Sequence, residues 1–151
     1  MQFHLAQLNV ARAKAPMDSP VMAGFANALD EVNALADQSP GFVWRLKEAS
    51  GNATAVRAYD DPLMLVNLSV WETPEALRTY VYRSMHRQFF ARREEWFEKL
   101  EGAHLALWWI PVGSIPGVIE AKARLEYLSS HGESPRAFTF VRRFGPDGQP
   151  A

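Results

Sequence analysis

The sequence contains no cysteine among its 151 residues. Disulfide bonds, thiolate catalysis and sulfur-ligated metals are therefore excluded, and a chain of this kind suits a reducing compartment. No apolar run approaches the roughly 20 residues that a membrane-spanning helix needs. Residues 1–14 also lack the basic segment and apolar core of a signal peptide. We therefore expect a cytoplasmic protein with no membrane partner.

The chain also has no large excess of positive or negative charge. The chain carries 16 Lys and Arg against 17 Asp and Glu, a formal net charge of −1, which gives no global field to gather polyanions. Arginines interleave with phenylalanines between residues 83 and 93, but four glutamates follow between residues 94 and 101 and cancel the local field. This pattern indicates a solvated helix face, and we expect no nucleic-acid partner.

Several chemical signatures are missing as well. The chain has no G-x-S-x-G, Walker or dinucleotide-binding glycine pattern, which argues against serine hydrolases and nucleotide-binding folds. Its four histidines form no H-x-H or H-x-x-x-H pair, so we expect no dedicated metal site. Haem binding requires only one axial ligand residue and a flat apolar pocket. We expect no cofactor, and haem with His86 as its axial ligand is the alternative.

The composition and length of the chain are typical of one globular domain. Hydrophobic residues make up 48% and charged residues 22% of the chain, which is ordinary globular usage. A chain of this length buries roughly two-thirds of its unfolded surface in a single core. We assign residues 1–141 to one domain and the polar, Gly- and Pro-containing residues 142–151 to a flexible tail.

Hydrophobic periodicity and turn signals predict the order strand, helix, strand, strand, helix, strand, followed by an extra C-terminal helix and a short strand. The strands are predicted at residues 3–10, 41–46, 64–71 and 103–112. This order is the split βαβ pattern of a ferredoxin-like antiparallel sheet, an α+β fold with helices on one face. An apolar opposite face needs a partner, so we expect a homodimer formed by two-fold symmetry.

Alternation along residues 64–71 predicts one wholly apolar face and a second face with Asn67, Ser69 and Trp71. Polar groups beside a tryptophan are typical of a wall that is partly a pocket. In residues 41–46 the same alternation places Phe42, Trp44 and Leu46 on one face and Arg45 on the other.

Further polar strand residues could converge on that pocket. Gln7 and Asn9 share a face of the first strand with Phe3 and Leu5, and together with Arg45 and Asn67 they would orient an otherwise apolar ligand. The alternative is that the two asparagines bond to loops. His4 and His104 also lie on strands, where lone histidines are more often packing or edge residues.

His86 is the leading candidate for chemistry, because the unperturbed pKa of histidine lies nearest to neutral pH. It follows a helix start at residues 73–75, on a helix that is either bent or divided near residues 85–86. The alternative is a histidine satisfied by a backbone carbonyl or carboxylate. Tyr82 could donate to the same ligand or be structural, and Trp108 on the last long strand is a candidate wall residue.

Five segments together resemble the domain of unknown function 3291 family and, through it, the dimeric α/β-barrel superfamily, which is ferredoxin-like and includes the antibiotic biosynthesis monooxygenases. They are AQLNVARAKAP at residues 6–16, MAGFANALDEVNALADQSPGFVWRL at 22–46, LVNLSVWETPEAL at 65–77, YRSMHRQFFARREEWFEKLEG at 82–102 and LALWWIPVG at 105–113. The superfamily holds cofactor-free monooxygenases, isomerases and cyclases, and haem-binding members. The resemblance implies a ligand cavity between helix and sheet of each subunit.

We therefore expect a small-molecule-binding homodimer acting as a cofactor-free monooxygenase-like or isomerase-like enzyme on an apolar or aromatic substrate. The alternative is a non-catalytic small-molecule or haem-binding module. His86 is the expected catalytic residue, and the expected ligand-binding residues are Asn9, Arg45, Asn67, Trp71, Tyr82 and Trp108.

Overall fold

The computed structural model describes residues 2–47, 59, 61, 63–84, 94–100 and 102–151. The strands are β1 Phe3–Ala13, β2 Phe42–Arg45, β3 Met64–Trp71, β4 Phe97–Glu98 and β5 Leu105–Pro111. The helices are α1 Ala23–Gln38, which follows a 3-10 turn at Pro20–Met22, then α2 Pro74–Ser84 and α3 Val118–His131. None of the helices in these ranges is long and apolar enough to cross a membrane.

The strands form one open antiparallel sheet with β1 and β3 at its centre. β2 pairs with β3, β3 pairs with β1, and the other edge of β1 pairs with β5 along residues 3–9 and with β4 at residues 12–13. If β5 is counted as the fourth strand of the repeat, this is the strand order of the ferredoxin-like split βαβ fold. The predicted α+β class and ferredoxin-like sheet are confirmed.

Different helices pack on the two faces of the sheet. On one face the buried side chains Leu5, Trp71 and Leu107 pack with residues of α1 and α2. On the other face Ala6, Leu8, Val10 and Trp108 are among the strand residues that pack with α3; the buried α3 residues are Ala121, Leu125 and Leu128. The α1 and α2 helices thus share a face as predicted. However, the extra helix covers the face that the sequence argument reserved for a second copy.

A β-bulge changes the faces of β2. Phe42 lies opposite Trp71, but Trp44 lies opposite Val70, so the register shifts between them. The inserted residue, Val43, is 40% exposed. Phe42 therefore packs on the α1/α2 face and Trp44 on the α3 face, and the prediction that they share a face is wrong. Simple alternation fails here because a bulge places two residues against one.

The C-terminal residues are packed. Phe144 is 7% exposed, and its backbone carbonyl accepts a hydrogen bond of 2.7 Å from Trp109 Nε1. Phe144 also forms an isolated bridge with Pro150. The assignment of residues 142–151 to a flexible tail stays a prediction. The short strand expected at residues 137–141 is reduced to two isolated bridges, Phe138 with Leu107 and Ala137 with Ser134.

Candidate functional site

A cavity of about 680 Å³ lies between the sheet and the pair α1 and α2. This volume is within the usual range for small-molecule sites, roughly 300–1,000 Å³. Its walls are mostly apolar side chains from both helices and from the strand ends, namely Phe25, Leu29, Val32, Leu65, Leu77, Val81, Phe97 and Leu100 among others. Its floor is a polar strip on the central strands, consisting of Gln7, Asn9, Asn67 and Ser69.

Hydrogen bonds link most of this polar strip. Gln7, only 5% exposed, uses Nε2 to donate to Asn67 Oδ1 at 2.6 Å and to Ser69 Oγ at 2.9 Å. It also lies 3.3 Å from the backbone oxygen of Asn67. From behind, Trp71 Nε1 donates to the same Ser69 Oγ at 2.8 Å. Gln7, Asn67 and Ser69 of the strip therefore form a part-buried polar network, and pairing of this kind rigidifies a site.

Register explains why these side chains meet. Gln7 lies opposite Ser69, and Asn9 lies opposite Asn67, in the antiparallel pairing of β1 and β3. Directly opposite side chains on one face of a sheet are within reach of each other. The predicted face of Asn67, Ser69 and Trp71 is therefore confirmed, and Asn9 and Asn67 both line the cavity as exposed residues.

Arg45 lines the cavity, but its charge is compensated. Its Nε donates to Asp37 Oδ1 at 2.8 Å and its Nη2 to Asp37 Oδ2 at 3.3 Å. The arginine side chain is 13% exposed and the aspartate 42%. This two-point geometry holds a guanidinium in place. Arg45 thus ties β2 to α1 and brings little uncompensated charge to the cavity.

Two predicted wall residues are not at the cavity surface. Trp71 is fully buried, stacks on Tyr80 with ring centroids 5.0 Å apart, and reaches the cavity only through Ser69. Trp108 is fully buried on the opposite face of the sheet, where the Arg124 guanidinium lies 5.5 Å from its ring centre. The structure therefore does not bring Trp108 together with Asn67.

The tyrosine at the cavity is Tyr80. Tyr82 is 86% exposed on α2, whereas Tyr80 lines the cavity and donates to the Val32 carbonyl at 3.3 Å. Helical spacing was the available signal, because it places Tyr80 on the same side of α2 as the buried Leu77.

Further polar residues line the cavity that sequence reasoning did not place there, namely Asn33, His104 and the charged residues Glu94, Glu98 and Lys99. Asn33 is 8% exposed on α1, where it continues the spacing of Leu29 by four residues, and a polar residue within an apolar stripe was its signal. His104 precedes β5 and lines the cavity with its backbone oxygen bonded to Val10 N at 3.0 Å. From its sequence position alone it was interpreted as a packing or edge residue.

His86, the predicted catalytic residue, lies outside the described residues, as does the junction near residues 85–86. Within the described ranges, no group of three or more His, Cys, Asp or Glu side chains is arranged to hold a metal ion.

An ion-pair cluster lies where β1 meets β4. Arg12 donates to Asp61 Oδ2 at 2.7 Å and to Glu98, which itself lines the cavity. The Arg12 hydrogen bond, aided by a 2.9 Å bond from the backbone N–H of Leu63, lowers the pKa of Asp61 below its ordinary 3.8. The same carboxylates raise the pKa of Arg12. This cluster fastens the end of β1 to Asp61 and to β4.

Three solved structures show a weak likeness to the chain. A protein of unknown function from Nitrosomonas europaea is 13% identical, covering 77% of this chain and 97% of that one, with a TM-score of 0.49. SnoaB, a cofactor-independent oxygenase from Streptomyces nogalater, is 17% identical over 76% of this chain and 98% of its own, with a TM-score of 0.43. A candidate antibiotic biosynthesis monooxygenase from Chloroflexus aurantiacus J-10-fl is 17% identical over 75% and 97%, with a TM-score of 0.42.

No curated protein matches the chain. A protein-family model does, and it covers residues 4–151, which is nearly the whole sequence. The resemblance found from the five sequence segments is confirmed. The chain belongs to the family described as Domain of unknown function (DUF3291).

Proposed function

We propose that the cavity binds a small, largely apolar or aromatic molecule and that the protein is a cofactor-free enzyme of monooxygenase-like or isomerase-like type. One observation carries the proposal, namely an apolar cavity of about 680 Å³ with a single hydrogen-bonded polar strip on its floor. Apolar walls supply affinity, and a few fixed polar groups set the orientation of the ligand.

In this proposal the polar strip holds a ligand carbonyl. Asn67 would donate to that oxygen as negative charge develops on it, and Arg45, held by Asp37, would help to orient the ligand in the same cavity. Trp71 supports this arrangement indirectly, because its indole Nε1 donates a hydrogen bond to Ser69 Oγ. The apolar wall from α1 and α2 would exclude water from the reacting carbon.

His86 is proposed as the proton acceptor. It would take a proton from a carbon beside the carbonyl, and the electron pair of that C–H bond would move to the oxygen to form an enolate. An isomerase returns the proton to a different carbon that is conjugated with the enolate, as in the shift of a carbon–carbon double bond. A monooxygenase instead passes electrons from the enolate to dioxygen, so that a methylene becomes a carbonyl and the second oxygen atom leaves as water. In that case the substrate is oxidised and dioxygen is reduced.

The test of binding uses 2-tetralone, an aromatic ketone with acidic C–H bonds beside its carbonyl. Isothermal titration calorimetry is expected to show saturable binding to the wild-type protein. Asn67→Leu is expected to weaken it about tenfold, because a carbonyl partner is lost. The matched control is Asn27→Leu, at an exposed position of α1 outside the cavity, which is expected to bind normally. Absence of binding to the wild-type protein would overturn the proposal.

The test of chemistry follows the same ketone in heavy water by proton NMR. The wild-type protein is expected to accelerate exchange of the C–H protons beside the carbonyl, and His86→Gln is expected to remove that acceleration while leaving binding intact. Binding without acceleration would favour the non-catalytic alternative. A Soret band in the purified protein that His86→Ala abolishes would favour a haem-binding module instead.

A homodimer is also part of the proposal. Its support is a set of exposed apolar side chains before and within the first turn of α3, where Val112 is 46%, Ile115 65% and Ile119 88% exposed. Apolar groups that cluster on a surface are typical of interaction sites. Sedimentation velocity at micromolar concentration is expected to show a dimer that Ile119→Glu dissociates, and a wild-type monomer would contradict this part.

A further inference from the structure

The orientation of the Gln7 carboxamide is determined by its neighbours. Gln7 Nε2 lies 3.3 Å from the Asn67 backbone carbonyl, an atom that can only accept a hydrogen bond, which favours the amide nitrogen at this position. The same nitrogen donates to Asn67 Oδ1 and Ser69 Oγ. The other end of the carboxamide, Gln7 Oε1, then has no hydrogen-bond donor among the residues that the structure describes, although Gln7 is 5% exposed and lines the cavity.

The Ser69 hydroxyl, in contrast, has a hydrogen available for donation. Its Oγ accepts from Gln7 and from Trp71, which uses both of its lone pairs. Its hydroxyl hydrogen is therefore free to be donated, and within the described ranges no acceptor takes it. Asn67 is similar, because Oδ1 accepts from Gln7 and the Nδ2 group is left to donate at the exposed side of the strip.

The strip thus offers one acceptor beside two donors at the cavity, and all three groups are uncharged. Among the described residues, the cations that line the cavity are Arg45, which is paired with Asp37, and Lys99, which is exposed and shares the lining with the acidic Glu94 and Glu98. A buried polar group without a partner is unfavourable, and a site built to bond one discriminates strongly against ligands that lack the matching group. A ligand that pairs with the strip must therefore carry a neutral donor and a neutral acceptor on the same edge.

We propose that the protein selects ring compounds with an uncharged donor–acceptor edge, that is, a lactam, carboxamide or hydroxy-ketone on an apolar body. The ligand N–H or O–H donates to Gln7 Oε1, and its carbonyl accepts from Ser69 Oγ or Asn67 Nδ2. This assignment rests on the proposed binding function of the cavity and names the ligand class for it. The polar strip itself carries no positive charge with which a carboxylate or phosphate could pair, so an anion gains nothing there.

The test compares two ligands of the same shape. Isoquinolin-1(2H)-one carries an N–H beside its carbonyl, and isocoumarin replaces that N–H with a ring oxygen. Calorimetry with the wild-type protein is expected to show at least about tenfold tighter binding of the lactam, because only the lactam donates to Gln7 Oε1. Gln7→Met removes the acceptor at similar size, and the ratio is expected to fall to about one. Gln2→Met, at an exposed position, is the control.

The outcomes separate this inference from the proposed function. Equal binding of both compounds by the wild-type protein would overturn the donor–acceptor selection and leave the binding function standing. If neither compound binds, and 2-tetralone does not bind either, both proposals fail. Should Gln7→Met not fold, the ratio measured on the wild-type protein decides the question alone.

Discussion

Gln7 of β1 and Ser69 of β3 lie directly opposite each other and are joined by a 2.9 Å hydrogen bond between Gln7 Nε2 and Ser69 Oγ. The same hydroxyl accepts from the buried Trp71 indole. One small side chain therefore joins the floor of the cavity to the aromatic core beneath it. We therefore expect both the stability of the sheet and the order of the cavity to depend on Ser69.

Ser69→Ala is expected to lower the free energy of unfolding by about 2 kcal/mol, because it leaves the buried Trp71 N–H without an acceptor and removes one from Gln7. Urea denaturation followed by circular dichroism measures the change. Ser130→Ala, at an exposed position of α3, is the control and is expected to shift it by less than about 0.5 kcal/mol. Equal effects of the two variants would show that the Ser69 bonds do not matter for stability.

Tyr80 and Tyr82 are expected to differ sharply although they are two residues apart. Tyr80→Ala removes the stacking on Trp71 and the bond to Val32, and should cost about 2–3 kcal/mol of unfolding free energy. Tyr82→Ala, at a site 86% exposed, should cost less than about 0.5 kcal/mol. Thermal and urea unfolding of the two variants checks this. A larger loss for Tyr82 would contradict the orientation of α2.

Gly41 is expected to tolerate no side chain. Its φ is +82°, and an added Cβ would lie 2.5 Å from the Cβ of Ala76. Gly113 has φ +91° with nothing within 4 Å, so Gly113→Ala isolates the backbone cost of about 1–2 kcal/mol. Gly41→Ala should cost a further ~1–3 kcal/mol for the overlap between β2 and α2. Adding Ala76→Gly to Gly41→Ala should recover this further loss of unfolding free energy, because it removes the Cβ that the new side chain overlaps. If stability is not recovered, the loss does not come from the contact with Ala76.

The Arg12–Asp61 pair should make stability depend on pH in a defined direction. The pKa of Asp61 is lowered in the folded protein, so its contribution is present above the ordinary value of 3.8 and is lost as pH falls through the lower folded value. Asp61→Asn should therefore lower the urea midpoint at neutral pH, and the difference from wild type should vanish at strongly acidic pH. Asp18→Asn, exposed and away from Arg12, is the control. A difference that persists unchanged in acid would contradict this pairing.

Much of the site was predictable from residue spacing. Alternation along β3 placed Asn67 and Ser69 on one face, and alternation along β1 placed Gln7 and Asn9 together. The strand partners follow from the element order, because a split βαβ unit brings its first and third strands side by side. Tyr82 is 86% exposed, and the helical period of α2 favoured Tyr80 as the tyrosine that lines the cavity.

The sequence by itself determined the family, the order of elements and the polar and apolar faces of β1 and β3, because periods of two and 3.6 residues are local properties of the chain. Only the tertiary structure decided that a bulge turns Trp44 away from Phe42, that α3 covers the second face of the sheet, and that Trp108 lies beneath it. It also decided that Asp37 neutralises Arg45 and that one hydroxyl serves both Gln7 and Trp71. These relationships join residues distant in sequence or depend on local register, so no local pattern specifies them.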